Sequence, residues 1–334
     1  MKDFKNRLSK YIKRSVVLIM VLALSVCTLF GCGGPGGASA SGGAKILYII
    51  TDFDTFRTKL SDAVVASGPQ LGVDVTMVES GNSVEKQLEL VSQAKSQGYG
   101  AIILRLADAE TALQMNTASN GLPIVYLNSE PSSDYLKKDQ FIYVGSDEAV
   151  AGRYQAEYVV SKLGVKPMNI IIFEGEQGHS GTIGRTKGVK YALKDAGVNA
   201  NIVFMDYANW SDAEAAEKFG IFCKTGQTVD AVFCNNDMMA LGVIQAMKDR
   251  GFDYTKIPVC GVDAVEAACD SIAAGEMAFT CLQNAEAQAY KAVEAAKVLA
   301  GGGSISNMEG ASAEGYYVWV PFEAVDASNV SQYR

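Results

Sequence analysis

The chain has 334 residues, of which 29 are Lys or Arg and 37 are Asp or Glu, so its net charge is −8 with its single histidine neutral. Nucleic acids and anionic lipid surfaces select basic proteins, and this acidic balance therefore argues against both as binding surfaces. No nucleic-acid partner is expected.

The N-terminus has the pattern of an export signal. Six Lys or Arg side chains precede an apolar run over residues 16–26 in which Ser25 is the only polar residue, as in the charged start and hydrophobic body of a secretory signal. The run ends in Leu29-Phe30-Gly31-Cys32. Small residues before a cysteine resemble the lipobox of bacterial lipoproteins, which implies that residues 1–31 are removed and Cys32 is lipidated. A transmembrane anchor is the alternative, but the apolar part is shorter than the roughly 20 residues that a span needs.

The segment that follows Cys32 predicts a tether. It reads GGPGGASASGG and cannot bury apolar surface, so residues 32–44 are expected to be flexible. Removing residues 1–31 takes away six basic side chains and one acidic one, which leaves 23 against 36 and a net charge near −13. The mature protein is predicted to lie outside the cytoplasmic membrane, at the cell surface or in a periplasm, and to contact the membrane through its lipid anchor only.

From residue 45 onward, short apolar runs alternate with longer amphipathic segments. Most of the short runs are apolar throughout rather than at every second position, as expected of parallel strands that are covered on both faces. Ten strands are predicted, at residues 45–51, 74–79, 101–106, 123–128, 141–145, 169–175, 201–206, 231–236, 257–263 and 278–283.

The segments between these strands have the spacing of amphipathic helices. In residues 83–98, apolar side chains recur at three-and-four spacing, Ser83 is a suitable N-cap and Gly98 is a C-terminal stop. The same pattern recurs over residues 238–251. Repeated strand–helix units favour a doubly wound α/β fold, and about 290 ordered residues are too many for one core. Two doubly wound parallel-sheet lobes are therefore predicted.

The sequence motifs of dinucleotide-binding, phosphate-binding and nucleophile-containing catalytic sites are absent where they would be expected. The first strand is followed by TDFDTF, which contains no glycine, so a GxGxxG dinucleotide site is not expected. Residues 174–188, EGEQGHSGTIGRTKG, hold the only histidine but no GxxxxGK[ST] phosphate loop. No GxSxG element supplies a nucleophile for His179. A carboxylate pair, Asp54 with Asp263, leaves a secreted sugar-acting enzyme open as an alternative. No cofactor is predicted.

The cysteines beyond the signal and the lipid site predict neither a zinc set nor a fixed disulfide pattern. They are odd in number, contain no CxxC pair and have no second histidine near them. Buried thiols that pack in the core are favoured, with a structural bridge left open. The five residues are Cys223, Cys234, Cys260, Cys269 and Cys281.

The residues that follow the predicted strands suggest a binding site, because ligands of doubly wound sheets sit at the carboxyl ends of the strands. Carboxylate and amide oxygens accept hydrogen bonds from hydroxyl groups, arginine and histidine donate to them, and aromatic rings cover apolar C–H faces. This set predicts that a small polyol is held without catalysis. Nine ligand-binding residues are predicted: Asp54, Phe56, Arg105, His179, Arg185, Trp210, Asn236, Asp263 and Gln283.

Eight segments, in this order, resemble the type 1 periplasmic binding proteins, and among them the galactose/glucose-binding members of ABC sugar importers. The segments are FDTF, LNSEP, YVGSDEAVAG, EGEQGHSGTIGR, DYANWSDAEA, NNDMMALG, PVCGVDA and VPFEAVDASNV. The resemblance covers about residues 45–330 and implies a clamshell of two lobes joined by three crossovers. The predicted lobes are 45–124 plus 284–318, and 125–283 plus 319–334.

The resemblance also implies a function. It implies a monomer without enzymatic activity that binds a monosaccharide between its lobes and delivers it to an ABC permease. A sugar sensor that feeds a chemoreceptor or a kinase is the alternative that the sequence leaves open. By position, Asp54 would accept from sugar hydroxyls, while Phe56 and Trp210 would stack on opposite faces of the ring.

Three positions depart from the galactose/glucose-binding pattern. Arg105 replaces an asparagine, Gly181 replaces an aspartate, and Gln283 replaces an asparagine at the hinge. Losing a carboxylate and gaining a guanidinium makes the pocket more positive, so galactose or glucose is favoured while another epimer, a pentose or a sugar acid stays open. The calcium loop of those members is missing from residues 162–169, KLGVKPMN, and no metal is predicted.

Overall fold

The computed structural model describes residues 43–334. The predicted signal, the lipidation site Cys32 and all but the last two residues of the predicted tether lie outside this range. None of the helices in the described range is both long enough and apolar enough to cross a membrane. Within it, strands and helices alternate along most of the chain.

The strands are β1 (Lys45–Ile50), β2 (Asp74–Glu79), β3 (Ala101–Leu104), β4 (Ile124–Leu127), β5 (Phe141–Gly145), β6 (Met168–Glu174), β7 (Ala200–Tyr207), β8 (Ala231–Cys234), β9 (Val259–Cys260), β10 (Thr280–Leu282), β11 (Tyr317–Trp319) and β12 (Glu323–Val325). The α-helices are α1 (Thr55–Leu71), α2 (Val84–Ala94), α3 (Ala112–Ala118), α4 (Glu148–Leu163), α5 (Ser180–Asp195), α6 (Asp212–Cys223), α7 (Asp237–Asp249), α8 (Glu266–Ala273) and α9 (Ala285–Ala300).

The first lobe is built on a six-stranded parallel sheet in the order β11-β5-β4-β3-β1-β2. Helices α1 and α9 cover one face, and α2 and α3 cover the other. Along β1, Ile46, Tyr48 and Ile50 pack on the first face. Leu47 and Ile49 pack on the second. This burial on both faces explains why the strand is apolar at consecutive positions.

The second lobe is built on the parallel strands β7-β6-β8-β9. Isolated bridges from Cys260 to Phe279 and from Asp263 to Leu282 place β10 beside β9, and β12 pairs with β10 in the antiparallel direction. Helices α4 and α5 cover one face, and α6, α7 and α8 cover the other. The doubly wound architecture of both lobes is confirmed.

The same strand order recurs in the two lobes and positions the site. In each lobe the first strand lies between the second and the third, as β2-β1-β3 and as β7-β6-β8. The connections that leave β1 and β3 therefore run to opposite sides, and those that leave β6 and β8 do the same. A crevice opens at such a switch point at the carboxyl ends of the strands, where ligands of these sheets bind.

All ten predicted strands form, and the predicted helices form with shifted ends. The Ser83 hydroxyl accepts from the backbone N–H of Lys86 at 3.1 Å, as expected of an N-cap. Helix α2 ends at Ala94 rather than next to Gly98, because residues 95–98 form a turn. Strands β11 and β12 were not predicted; each has only three residues, too few to show a periodic pattern.

The chain passes between the lobes three times: after β5, after β10 and after β11. The predicted boundary between residues 124 and 125 is not where the sheets divide. Strand β4 pairs with β3, and β5 pairs with β4, so both belong to the first sheet and the first crossing follows Gly145. The predicted boundary failed because a short apolar strand carries no sign of the sheet in which it lies.

The five cysteines of the described range are free thiols. Cys223 is half-buried, whereas the other four are buried in the second lobe. Burial raises the pKa of the Cys234 and Cys260 thiols, which keeps them protonated and unreactive. No three His, Cys, Asp or Glu side chains of residues 43–334 are grouped as metal ligands would be.

Candidate functional site

A pocket lies between the lobes at the carboxyl ends of their strands, and residues of both lobes line it. All nine predicted ligand-binding residues line it, together with Arg57 and Asn128. The nine are Asp54, Phe56, Arg105, His179, Arg185, Trp210, Asn236, Asp263 and Gln283. Their contact with a ligand stays a prediction.

Asp54 begins the first-lobe wall as the N-cap of α1. One carboxylate oxygen accepts from the backbone N–H of Arg57 at 2.7 Å, and the other lies 3.1 Å from Arg57 Nε. Phe56 follows in the first turn, half-buried against the core of the first lobe. Because each carboxylate oxygen can accept two hydrogen bonds, Asp54 is held in place and still has lone pairs for ligand hydroxyls.

Arg105 follows β3 and is only 2% exposed. Its Nη1 donates to Thr51 Oγ1 at 2.6 Å, and its Nε donates to Asn128 Oδ1 at 3.1 Å. Burial, and then the nearby charge of Arg57, lowers the pKa of Arg105, although a guanidinium stays charged in a protein. Since a guanidinium has five N–H donors, these two bonds leave others for a ligand.

His179 is the N-cap of α5 in the second lobe. Its Nδ1 accepts from the backbone N–H of Gly181 at 3.0 Å, so we assign the ring proton to Nε2. Nε2 is buried without a hydrogen-bond partner among the described residues. Burial, and then the charges of Arg105, Arg185 and Arg57, holds the pKa of His179 well below its usual 6.5. The side chain is therefore a neutral donor at the pocket.

Trp210 supplies the aromatic part of the second-lobe wall. Its ring meets the His179 ring edge to face, with the centroids 5.3 Å apart. Its φ of 64° lies in the left-handed region, which is costly for a residue with a side chain and is maintained by the surrounding packing. A Cβ on Gly175 would lie 2.1 Å from the indole, so only glycine at that position leaves room for the ring.

Arg185 is held by a network within the second lobe and its hinge. Its Nε donates to Glu148 at 2.6 Å, and its Nη1 donates to the Asn235 carbonyl at 2.6 Å. Its Nη2 donates to Gln283 Oε1 at 3.0 Å, and Gln283 Nε2 donates to Glu148 at 3.4 Å. Gln283 lies at the crossing between β10 and α9, so the hinge orients this guanidinium.

Asn236 and Asp263 complete the second-lobe wall. Asn236 is the N-cap of α7: its side chain accepts from the Met239 N–H at 3.0 Å and donates to the Trp210 carbonyl at 3.3 Å. Asp263 has a φ of 125°, a strained value that is found mainly at functional sites. Its Oδ1 lies 3.8 Å from Arg185 Nη1, and burial raises the pKa of Asp263.

Three polar residues at or beside the pocket were not among the predicted nine. Asn128 follows β4, a position that the rule of strand ends already singles out. Arg57 is a cation in the first turn of α1, where the helix dipole disfavours positive charge, and this conflict was a usable signal. Glu176 directly follows the predicted strand 169–175, so the same rule points to it, but nothing in the sequence shows that its partners lie in the other lobe.

Glu176 connects the lobes. Its Oε1 lies 3.4 Å from Arg57 Nη1, and its Oε2 lies 3.6 Å from Arg105 Nη2. We call this contact the cross-lobe bridge. A second contact between the lobes is the backbone N–H of Glu130, which donates to the Ser180 hydroxyl at 3.0 Å. The two lobes are therefore in contact across the cleft.

Two α/β lobes with a polar and aromatic pocket between them are the architecture of a solute-binding protein. The model of the periplasmic binding protein domain matches residues 46–304, and the chain belongs to this family. The resemblance seen in the sequence is confirmed. Family membership also makes the chain a binding protein and not an enzyme, which removes the alternative of catalysis by Asp54 and Asp263.

Named relatives extend over most of the chain. A putative rhizopine-binding protein of Rhizobium meliloti is 29% identical over 285 residues, which cover 84% of this chain and 89% of that protein. The D-galactose/methyl-galactoside binding periplasmic protein of Haemophilus influenzae is 27% identical over 316 residues, or 89% and 95% of the two chains. An ABC transporter solute binding protein of Bacillus halodurans with bound myo-inositol has a TM-score of 0.78 at 28% identity, covering 89% and 99%.

Proposed function

We propose that the chain is the extracytoplasmic receptor of an ABC importer and that its ligand is a neutral six-membered-ring polyol, either a hexopyranose or a cyclitol. The observation that carries this proposal is the pair Phe56 and Trp210, which line one pocket from opposite lobes among hydrogen-bonding groups. Both ring classes have apolar C–H faces that suit aromatic contact and hydroxyl groups that suit the polar lining.

The charges around the pocket favour a neutral ligand. Each of its three guanidiniums lies within 4.0 Å of at least one protein carboxylate, and the carboxylates number five. The guanidiniums belong to Arg57, Arg105 and Arg185, and the carboxylates to Asp52, Asp54, Glu148, Glu176 and Asp263. A ligand carboxylate would therefore meet no unpaired cation among the pocket residues. The extra cation at position 105 does not by itself favour a sugar acid.

The relatives support both arms of the proposal. The solved protein with bound myo-inositol is 28% identical to this chain, and the galactose-binding relative is 27% identical. Such similar values do not separate a cyclitol from a hexopyranose. Galactose or glucose, which the sequence favours, is therefore one candidate ligand, and myo-inositol is the other.

Closure of the lobes would be the functional step. A ligand in this pocket touches both lobes only when they are together, so its binding free energy favours the closed arrangement. We propose that a permease binds this closed form of the monomeric receptor and accepts the ligand from it.

We also propose that Cys32 carries the lipid anchor. The support is the apolar run of residues 16–26 before Leu29-Phe30-Gly31-Cys32 and the glycine-rich segment after it. In the native host, the wild-type protein is expected in the membrane fraction with an incorporated acyl label. A Cys32→Ala variant that keeps both the label and the membrane association would contradict this assignment.

Calorimetric titration of the purified protein with myo-inositol, glucose, galactose, allose, ribose and the open-chain polyol xylitol tests the ligand class. One of the ring hexoses or myo-inositol is expected to bind one to one and to be recovered unchanged. At 100 times its dissociation constant it should stabilise the fold by about 2.7 kcal/mol. Binding of xylitol or ribose alone, or of none of these compounds, would contradict the proposal.

A further inference from the structure

We propose that Glu176 selects the ligand by charge: its carboxylate occupies the side of Arg105 on which the carboxylate of a sugar acid would bind. This inference rests on the proposed function, because it concerns the same pocket and the same class of ring ligand. It makes Glu176 a specificity-determining residue, although Glu176 belongs to the lobe opposite Arg105.

The partners of Arg105 within its own lobe are all neutral. They are the Thr51 hydroxyl at 2.6 Å and the Asn128 side-chain oxygen at 3.1 Å. Among residues 43–334, Glu176 is the only residue with a carboxylate oxygen within 4.0 Å of the Arg105 guanidinium. Arg57 differs, since it has Asp52 at 3.3 Å and Asp54 at 3.1 Å in its own lobe. The closest counter-charge of Arg105 thus comes from the opposite lobe, while Asp52 and Asp54 of its own lobe act from further away.

The Arg105 guanidinium is well suited to a carboxylate. It is buried and lines the pocket, and the planar fork of an arginine can donate two parallel bonds to one carboxylate. The contact with Glu176 is 3.6 Å, longer than the roughly 2.7–2.9 Å of a strong charge-assisted hydrogen bond. Arg105 therefore keeps N–H donors for a ligand, while the Glu176 charge keeps an anion away.

Placement on the opposite lobe makes this selection part of closure. A sugar acid that bound Arg105 in the open cleft would hold its own carboxylate where Glu176 arrives as the lobes meet. Two carboxylates at one cation repel each other, so the closed state would be disfavoured for the acid and not for the neutral sugar. A built-in repulsive group of this kind rejects a wrong ligand without strengthening the right one.

The test compares two matched pairs, glucose with glucuronate and galactose with galacturonate, which differ only in a hydroxymethyl group against a carboxylate. Calorimetric titration is carried out on the wild type and on Glu176→Gln, with myo-inositol in the same series. The Gln variant is expected to bind one of the acids at least about tenfold more tightly than the wild type. Its affinity for the neutral ligand should not rise, because the variant loses the charge of the contact with Arg57 and Arg105 and gains nothing for a neutral ring.

Two further variants show whether the pairing itself is responsible. Asp52→Asn removes a carboxylate of the same cluster that pairs closely with Arg57 and acts on Arg105 only from further away. It should leave acid binding within about threefold of the wild type. Adding Arg105→Gln to Glu176→Gln should abolish the gain. Glu176→Asp retains the charge on a shorter side chain and gives an intermediate gain if the Gln variant does not fold.

The outcomes separate this inference from the proposed function. No gain in acid binding in either Glu176 variant, or an equal gain in Asp52→Asn, overturns the charge selection. If wild-type protein binds none of the neutral ring compounds, the proposed function fails whatever the variants do. A gain in Glu176→Gln that persists in the double variant would show that another cation binds the acid, and it would also overturn the assignment to Arg105.

Discussion

The two walls of the pocket hold their buried arginines in different ways. Arg185, in the second lobe, is bonded to Glu148 at 2.6 Å and to the hinge residue Gln283 at 3.0 Å. Arg105, in the first lobe, has only neutral partners close by within that lobe, and its nearest carboxylate is that of Glu176 in the second. Arg185 has a close carboxylate partner in its own lobe, whereas the closest carboxylate to Arg105 belongs to the other lobe, and Asp52 and Asp54 of its own lobe act on it from further away.

Because of this difference, the two arginines should affect different properties: Arg185 the stability of the fold, and Arg105 the proposed closure of the lobes. The cost of burying the Arg185 charge is offset when the second lobe folds, because its carboxylate partner is part of that lobe. The cost of burying the Arg105 charge is offset in part by Asp52 and Asp54 of its own lobe, and in the proposed closure Glu176 adds the closest carboxylate. Stability should therefore depend mainly on Arg185, and the response to ligand charge should depend mainly on Arg105.

The largest effect is expected when the second-lobe network is broken. Arg185→Ala leaves Glu148 buried without its cation, and the loss of one partner of a buried pair costs about 3–5 kcal/mol of unfolding free energy. Urea unfolding of the ligand-free protein measures this loss. Binding of every ring polyol should be abolished in the same variant.

The matched control is Arg153→Ala. Arg153 is exposed and lies 3.7 Å from Glu157 one helical turn away, and exposed pairs of this kind contribute less than about 1 kcal/mol. Similar losses in the Arg153 and Arg185 variants would mean that the Arg185 network contributes nothing special to the fold.

The next effect concerns affinity and not stability. Trp210→Ala should weaken ligand binding about 100-fold, or about 2.7 kcal/mol, because a tryptophan that covers a ligand face is among the strongest contacts in binding sites. Calorimetric titration measures the loss. The chain's other tryptophan is the control: Trp319 packs on Tyr317 and Tyr143 in the first lobe, so Trp319→Ala should lower stability and leave affinity within a few-fold. Unchanged binding in Trp210→Ala would show that the stacking assignment is wrong.

A smaller change in stability is expected at the first-lobe wall. Arg105→Gln leaves neutral partners, Thr51 and Asn128, and a Glu176 side chain that water can reach, so it should cost about 1–2 kcal/mol of unfolding free energy. Affinity for the neutral ligand should fall about tenfold through lost donors. Urea unfolding beside Arg185→Ala checks the contrast. Equal losses in the two variants would contradict the difference between the walls.

The sequence predicted the pocket residues of the second lobe more completely than those of the first, where Arg57 and Asn128 were not predicted. Predicted strand ends and the family resemblance placed His179, Arg185 and Asp263 at one site, and the pocket contains all three. What they do individually could not be read from sequence. That His179 accepts from Gly181 and leaves Nε2 free, for example, depends on the cap geometry of α5.

The features that escaped prediction depend on how distant segments meet. The partners of Glu176 are Arg57 and Arg105 of the other lobe, and the first of these is 119 positions away in the chain. The sheet that contains β4 and β5, and the three-residue strands β11 and β12, likewise depend on tertiary pairing. Local patterns specify strands and helix ends, but they do not specify which faces of two lobes touch.

The smallest effect concerns pH and the single histidine. The pKa of His179 is held well below 6.5 in the folded protein by burial and then by three arginines, whereas the unfolded chain takes up a proton near pH 6.5. A base with a lowered pKa contributes fully to stability above pH 6.5, and this contribution is lost as pH falls further, by about 1.4 kcal/mol per unit. Urea unfolding at a series of pH values measures the loss.

His179→Gln isolates this contribution from that of the carboxyls. Burial raises the pKa of Glu130 to about 7 and that of Asp237 to about 6, so these groups take up protons first in the folded state and act with the opposite sign as pH falls. Both contributions are present in the wild type and the variant, and they cancel in the difference. The difference in unfolding free energy between the wild type and His179→Gln should be constant from pH 7 to pH 8.5. Because the imidazole is neutral in this range, its contribution to ligand affinity should not depend on pH there either. Below pH 6 the difference in unfolding free energy should shift against the wild type at about 1.4 kcal/mol per unit. A difference that stays constant down to pH 5 would show that folded His179 accepts a proton, and that its Nε2–H is not the fixed neutral donor of the second-lobe wall.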